Sequence, residues 1–126
     1  MDGRSDGAEL ISLSEARTAR QAMPVTFHRT ELDALLRIYS LMVGAGEWRD
    51  YALDHLADKA VFSVYKRSRE MPLFRVEKVT ANARRQGAFA VVGTDGRILK
   101  RGHDIRTVLT VFERLLKLAE AKKGRF

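Results

Sequence analysis

From Ala83 to Asp104 the chain reads ARRQGAFAVVGTDGRILKRGHD. A paired-arginine turn leads into an apolar strand, Ala88–Thr94. Asp95-Gly96 supplies a tight-turn signal, because glycine accepts the positive φ that such hairpins require. Arg97–Lys100 then returns antiparallel, and a loop containing Gly102 delivers Lys100, Arg101 and His103 to the start of a helix. A strand pair closed this tightly commits the chain to an antiparallel sheet, and the helix that follows needs a face of that sheet to pack on.

The flanking segments extend the pattern. Pro24–Phe27 reads as a short extended stretch. Thr30 is the expected N-cap of a first helix, with Asp33 at capping-box spacing. Leu32, Leu35, Leu36, Tyr39, Met42 and Val43 recur at helical spacing, which predicts a helix over Glu31–Val43 closed by Gly44 and Gly46 as left-handed caps. Trp48–His55 suits either a strand or a helical turn, and the alternation of Tyr51 and Leu53 with Ala52 and Asp54 favours the strand. Ala60–Lys66 is β-branched and aromatic, a strong strand. After a polar hairpin loop, Pro72–Val79 is another, with Phe74, Val76 and Lys78 facing away from Arg75 and Glu77. Asp104 is placed to cap the last helix, where Ile105, Val108, Leu109, Phe112, Leu115 and Leu116 repeat at helical spacing through about Ala121. The expected fold is therefore α+β: an antiparallel meander of about five strands with two amphipathic helices packed on one face, the other face left to water or a partner.

The domain organisation follows. Residues 24–122 form one domain. Residues 1–23, rich in Gly, Ser, Asp, Arg and Ala, are expected to be a tail that is disordered when free, in which Leu10, Ile11 and Leu13 could seed a short helix through Ser14–Gln21. Residues 123–126 are expected to fray. At 126 residues the chain suffices for one core and is too short for two. It has no cysteine, which rules out disulfides and thiolate metal sites. No apolar run approaches the ~20 residues of a membrane span. The N-terminal stretch lacks the apolar run of a secretory signal, so a cytoplasmic protein with no membrane association is expected.

Charge is the functional clue. The net charge is +7, unevenly spread: residues 1–58 hold 6 Lys/Arg against 10 Asp/Glu, and residues 59–126 hold 17 against 6. The halves carry −4 and +11, which suggests either an anionic partner or pairing between the halves. The polyanion-binding candidates are Arg67, Arg69, Arg84, Arg85, Arg97, Lys100 and Arg101, carried on hairpin ends and neighbouring strands. Tyr65 is the aromatic expected to be exposed among them, as a stacking or partner-binding residue. The competing reading is a solvated face with Glu70 and Glu77 in cross-strand pairs. The Lys100–Asp104 loop offers a helix N-terminus to a phosphate, yet a carboxylate cap at Asp104 occupies the same donors, so the capping role is favoured. Trp48 is a second partner-binding candidate, against the more ordinary role of a residue folded onto the core edge.

Catalytic readings fare worse. His28, His55 and His103 stand far apart, no serine or threonine sits in a nucleophile elbow, and no phosphate-loop or dinucleotide motif is present. The residues nominate no enzyme, metal or cofactor. They favour a non-enzymatic binding module for a polyanion, with nucleic acid the first choice. A protein-interaction domain that engages an acidic protein or forms a homo-oligomer is the alternative.

Several stretches in fixed order resemble a known family: PVTFHRTEL at Pro24–Leu32, MVGAGEWRDYALD at Met42–Asp54, AVFSVYKRSREMPLFRVEK at Ala60–Lys78 and the Ala83–Asp104 segment. The chain resembles domain-of-unknown-function family 2794, small alphaproteobacterial proteins. The resemblance covers about Pro24–Leu118. It implies a bacterial cytoplasmic protein and carries no activity, substrate or site residue.

Overall fold

The computed structural model describes residues 23–67 and 71–123. The expectations for residues 1–22, for Arg69 and Glu70, and for residues 124–126 lie outside them. The described chain runs through helix α1 (Arg29–Gly44), strands β1 (Asp50–His55), β2 (Ala60–Tyr65) and β3 (Phe74–Lys78), a 3-10 turn at Thr80–Asn82, strands β4 (Phe89–Gly93) and β5 (Ile98–Gly102), and helix α2 (Ile105–Lys123). The five strands form one antiparallel sheet in the order β1-β2-β3-β4-β5. This is the α+β meander that the alternation of turns and apolar strands predicts.

The pleat sorts the side chains into two faces. Register places Leu53 beside Phe62, Phe62 beside Val76, and Val76 beside Val91. These residues point to the helices and join one core with Leu35, Ile38 and Met42 of α1 and Ile105, Val108, Leu109 and Phe112 of α2. The i, i+3, i+7 spacing in α1 brings its three buried residues onto one stripe. Burying each such side chain contributes on the order of 1.5–3 kcal/mol. The opposite, outer face carries Val61, Ser63, Arg75, Glu77, Ala90 and Val92, as alternation requires.

Both helices start at the same end of the sheet and run parallel. Thr30 and Glu31 of α1 lie beside Ile105 and Arg106 of α2, and Met42 lies beside Leu115 and Ala119. Two connections set this arrangement: α1 enters next to the end of β3, and α2 leaves from the end of β5.

Local details depart from the sequence reading. The N-cap of α1 is His28, two residues before Thr30, and its backbone N–H donates to Glu31 Oε1 at 2.8 Å. Glu31, rather than Asp33, is thus the carboxylate of the first turn. Gly44 is the last helical residue, and Gly46 alone supplies the left-handed cap, with φ 78°. The β4–β5 hairpin closes through Gly96 N–H to Gly93 O at 3.0 Å, with Gly96 at φ 84°. β5 runs two residues further at its C-terminal end than the Arg97–Lys100 reading and reaches Gly102. Leu99 is the extra residue of a bulge, since Ile98 faces Val92 and Lys100 faces Val91.

Candidate functional site

Register divides the predicted cations between two ends of the sheet. Tyr65, Phe74, Gly93 and Ile98 mark one end; Ala60, Lys78, Phe89 and Gly102 mark the other. A strand of five residues separates them by about 17 Å. Arg67 and Arg97 belong to the first end, both exposed, and Arg97 pairs loosely with Asp95 at 3.9 Å. Arg84, Arg85 and Arg101 belong to the second, with Lys100 one residue further along the β5 edge. The six candidates among the described residues do not form one surface.

The second end is the richer one, for a backbone reason. Gly87 has φ 93°, and a Cβ there would stand 2.2 Å from the carbonyl carbon and oxygen of Gly102 and 2.6 Å from His103 N. Only glycine permits so close an approach. The contact pins the turn that carries Arg84 and Arg85 against the strand end that carries Arg101. Arg84 and Arg85 are exposed, Arg101 is half-buried, and His103 and Arg106 are exposed beyond it. His28 and His55 also lie at this end of the molecule, at the start of α1 and the end of β1.

Between the two helix N-termini lies a cavity of about 470 Å³ lined by Thr30, Glu31, Phe89, His103, Asp104, Ile105 and Arg106. It holds two carboxylates, and both are engaged. Asp104 Oδ1 accepts the Arg106 N–H at 3.0 Å and caps α2, as its position in the sequence suggests. Glu31 caps α1 and also accepts a hydrogen bond from Lys78 Nζ at 2.8 Å. With donors satisfied and acids in place, the cavity itself disfavours a phosphate. The cations stand around it, on the turn and the strand edge.

Lys78 has a role that charge counting alone does not give, because its alternation with Phe74 and Val76 turns it toward the helices. Its side chain is 8 % exposed, donates to Thr26 O at 2.9 Å and to Glu31, and lies 5.9 Å from the Phe89 ring centroid. The signal was available: a lysine in phase with Phe74 and Val76 must bury its stem and find an acid. Arg75 is likewise engaged, with Nε 3.3 Å from Glu77 Oε2, while Lys59 Nζ is 3.6 Å from Glu77 Oε1.

The two aromatic candidates separate. Trp48 is 4 % exposed and packs edge-on to Phe112, with centroids 4.9 Å apart. It is core, which corrects the partner-binding assignment in favour of the competing one. Tyr65 lies half-buried on the outer face opposite Asp50. Among the described residues it is the aromatic that the strands present there, so this face is not a stacking platform. Tyr39 donates its hydroxyl proton to Arg49 O at 3.0 Å, and burial, with the Asp50 carboxylate adding, pushes its phenol above the ordinary value.

Among the described residues no group of three or more histidines or acids is arranged to hold a metal ion. None of the described helices is long and apolar enough to cross a membrane. Fold and site together define a small α+β protein with a cationic end built on a glycine contact. A family model described as "Protein of unknown function (DUF2794)" matches residues 25–109, and the chain belongs to that family. No curated protein and no solved structure matches it.

Proposed function

We propose that this bacterial cytoplasmic protein is a non-enzymatic polyanion-binding module that grips the phosphate backbone of a nucleic acid. The contact is made by the end of the sheet that carries Arg84, Arg85, Lys100, Arg101, His103 and Arg106. One observation carries the reading: the Gly87–Gly102 contact, which holds the turn of the exposed Arg84 and Arg85 against the end of β5, where Lys100 is exposed and Arg101 half-buried. The mixed charge of the outer sheet face, with Arg75 and Lys59 engaged by Glu77, favours the edge and the turn over the sheet surface as the contact.

Contacts of this kind are to phosphates, so binding is tolerant of sequence and sensitive to salt. The test is fluorescence anisotropy of labelled single-stranded RNA and duplex DNA across a salt series. The reading expects log K to fall linearly with log salt, with a slope of about −0.9 per phosphate on duplex or about −0.7 on single strands. Absence of binding to both at low salt overturns it.

A further inference from the structure

We propose that a cavity between the C-terminal turns of the two helices and the β2–β3 hairpin binds a free carboxylate with an apolar tail, the chemical class of a medium-chain fatty acid. The site lies at the opposite end of the sheet from Arg84, Arg85 and Arg101. It goes beyond the polyanion reading and does not depend on it. The cavity measures about 330 Å³, within the range of about 300–1,000 Å³ usual for small-molecule sites.

The course of α2 explains why an apolar wall is left uncovered there. Ile105, Val108, Leu109 and Phe112 form its stripe over the core, and Phe112 meets Trp48 and Phe74 at centroid distances of 4.9 and 5.1 Å. The same i, i+3, i+4, i+7 spacing restarts at Leu115 and runs through Leu118 and Ala119 to Lys122. All four of these line the cavity. By Lys122 the helix has risen about 15 Å beyond Phe112. The stripe has outrun its cover, and Leu118 is 57 % exposed. Across the cavity, Leu73 and Phe74 at the start of β3 are only half-buried.

Charge selects the ligand. Lys66, directly after β2, and Lys122, near the end of α2, are exposed on two different walls. Among the described residues neither is held in an ion pair. Glu47, half-buried, is the carboxylate of the lining, so two cations stand against one anion. The end of α1 adds little opposing potential, because its last carbonyls are engaged. Leu41 O, Val43 O and Met42 O accept from the N–H groups of Ala45, Gly46 and Glu47 at 3.0, 2.9 and 2.9 Å. Trp48, in the same wall, is 4 % exposed, and among the described residues its indole N–H makes no hydrogen bond. A buried donor without an acceptor is costly, and a carboxylate bound in this cavity brings an acceptor to it. The head of the ligand meets the lysines at the mouth, and the tail lies along Leu115, Leu118 and Leu73.

Trp48 is the chain's sole tryptophan, so its emission reports the ligand. Decanoate, kept below its micelle-forming concentration, is expected to change that emission saturably. Acetate, which has no tail, and decyltrimethylammonium, which carries the opposite charge, are expected not to. Leu118→Glu, at an exposed position, weakens decanoate binding about tenfold or more, because it sets a charge against the tail. Lys66→Gln with Lys122→Gln weakens it about threefold or more, the share of two exposed ion pairs. Both proteins are checked for an intact fold by circular dichroism. Absence of a saturable response to decanoate overturns the site, as does unchanged affinity in either folded variant. Equal affinity for decanoate and decyltrimethylammonium overturns the carboxylate class. A response to phosphatidylglycerol vesicles without one to free decanoate makes this end a contact for lipid surfaces and overturns the cavity as a ligand site.

Discussion

At the scale of single residues, Gly87 and Tyr39 make the sharpest claims. Gly87→Ala introduces a Cβ 2.2 Å from the Gly102 carbonyl and forces a side chain into a left-handed backbone, so backbone must move at two places. The expected loss is about 3 kcal/mol or more. Urea unfolding followed by Trp48 fluorescence, the chain's sole tryptophan and a core residue, measures it. A loss under about 1 kcal/mol would mean that the turn does not sit on β5. Tyr39 carries a pH prediction. Its folded value lies above the ordinary 10.0, through burial first and the Asp50 and Tyr51 charges next. The unfolded phenol ionises first, so its contribution is whole below about pH 10 and is lost as pH rises through the folded value. Tyr39→Phe removes the hydrogen bond to Arg49 O, which costs about 1 kcal/mol at neutral pH, and flattens the alkaline decline in stability. Equal alkaline slopes for the two proteins would remove Tyr39 from that decline.

At the scale of elements, Asp104 has two opposed roles. As the cap of α2 it accepts the Arg106 N–H, and as a carboxylate it weakens the cationic end. Asp104→Ala therefore costs about 1 kcal/mol in thermal or urea unfolding, whereas Asp104→Asn keeps the cap within about 0.5 kcal/mol. Asp104→Asn raises nucleic-acid affinity in the same anisotropy assay; unchanged or weaker binding would place the ligand elsewhere. The elements were largely legible in the sequence, and the reasons are local. Asp95-Gly96 between two apolar runs fixes a hairpin, and the Ile105–Leu116 spacing fixes a helix face. The helix starts were less legible, because Thr30 and His28 both precede an acid three residues on, and only the approach of Lys78 to Glu31 decides between them. The bulge at Leu99 was not legible either, since register depends on which residue of β4 each residue of β5 meets.

For the molecule as a whole, the sequence showed an excess of positive charge but not its distribution in space. Candidates 34 residues apart along the chain, Arg67 and Arg101, fall at opposite ends of the sheet, while Arg85 and Arg101 are brought to the same end by two glycines in contact. No spacing rule reports that contact, because it is made between a turn and the end of a strand that pairing alone brings beside it. The central claim is that one end of the sheet, and not the total charge, binds nucleic acid. The most direct test compares two charge-reversed proteins in the anisotropy assay at one salt concentration of about 0.15 M, where charges more than about 8 Å apart are largely screened. Arg84→Glu, Arg85→Glu, Lys100→Glu and Arg101→Glu together are expected to abolish binding with the fold intact by circular dichroism. Arg67→Glu with Arg97→Glu, at the opposite end, is expected to leave affinity within about threefold, as for distant charges that salt screens. Unchanged affinity in the folded fourfold variant, or equal losses in proportion to the charge removed, would contradict the account.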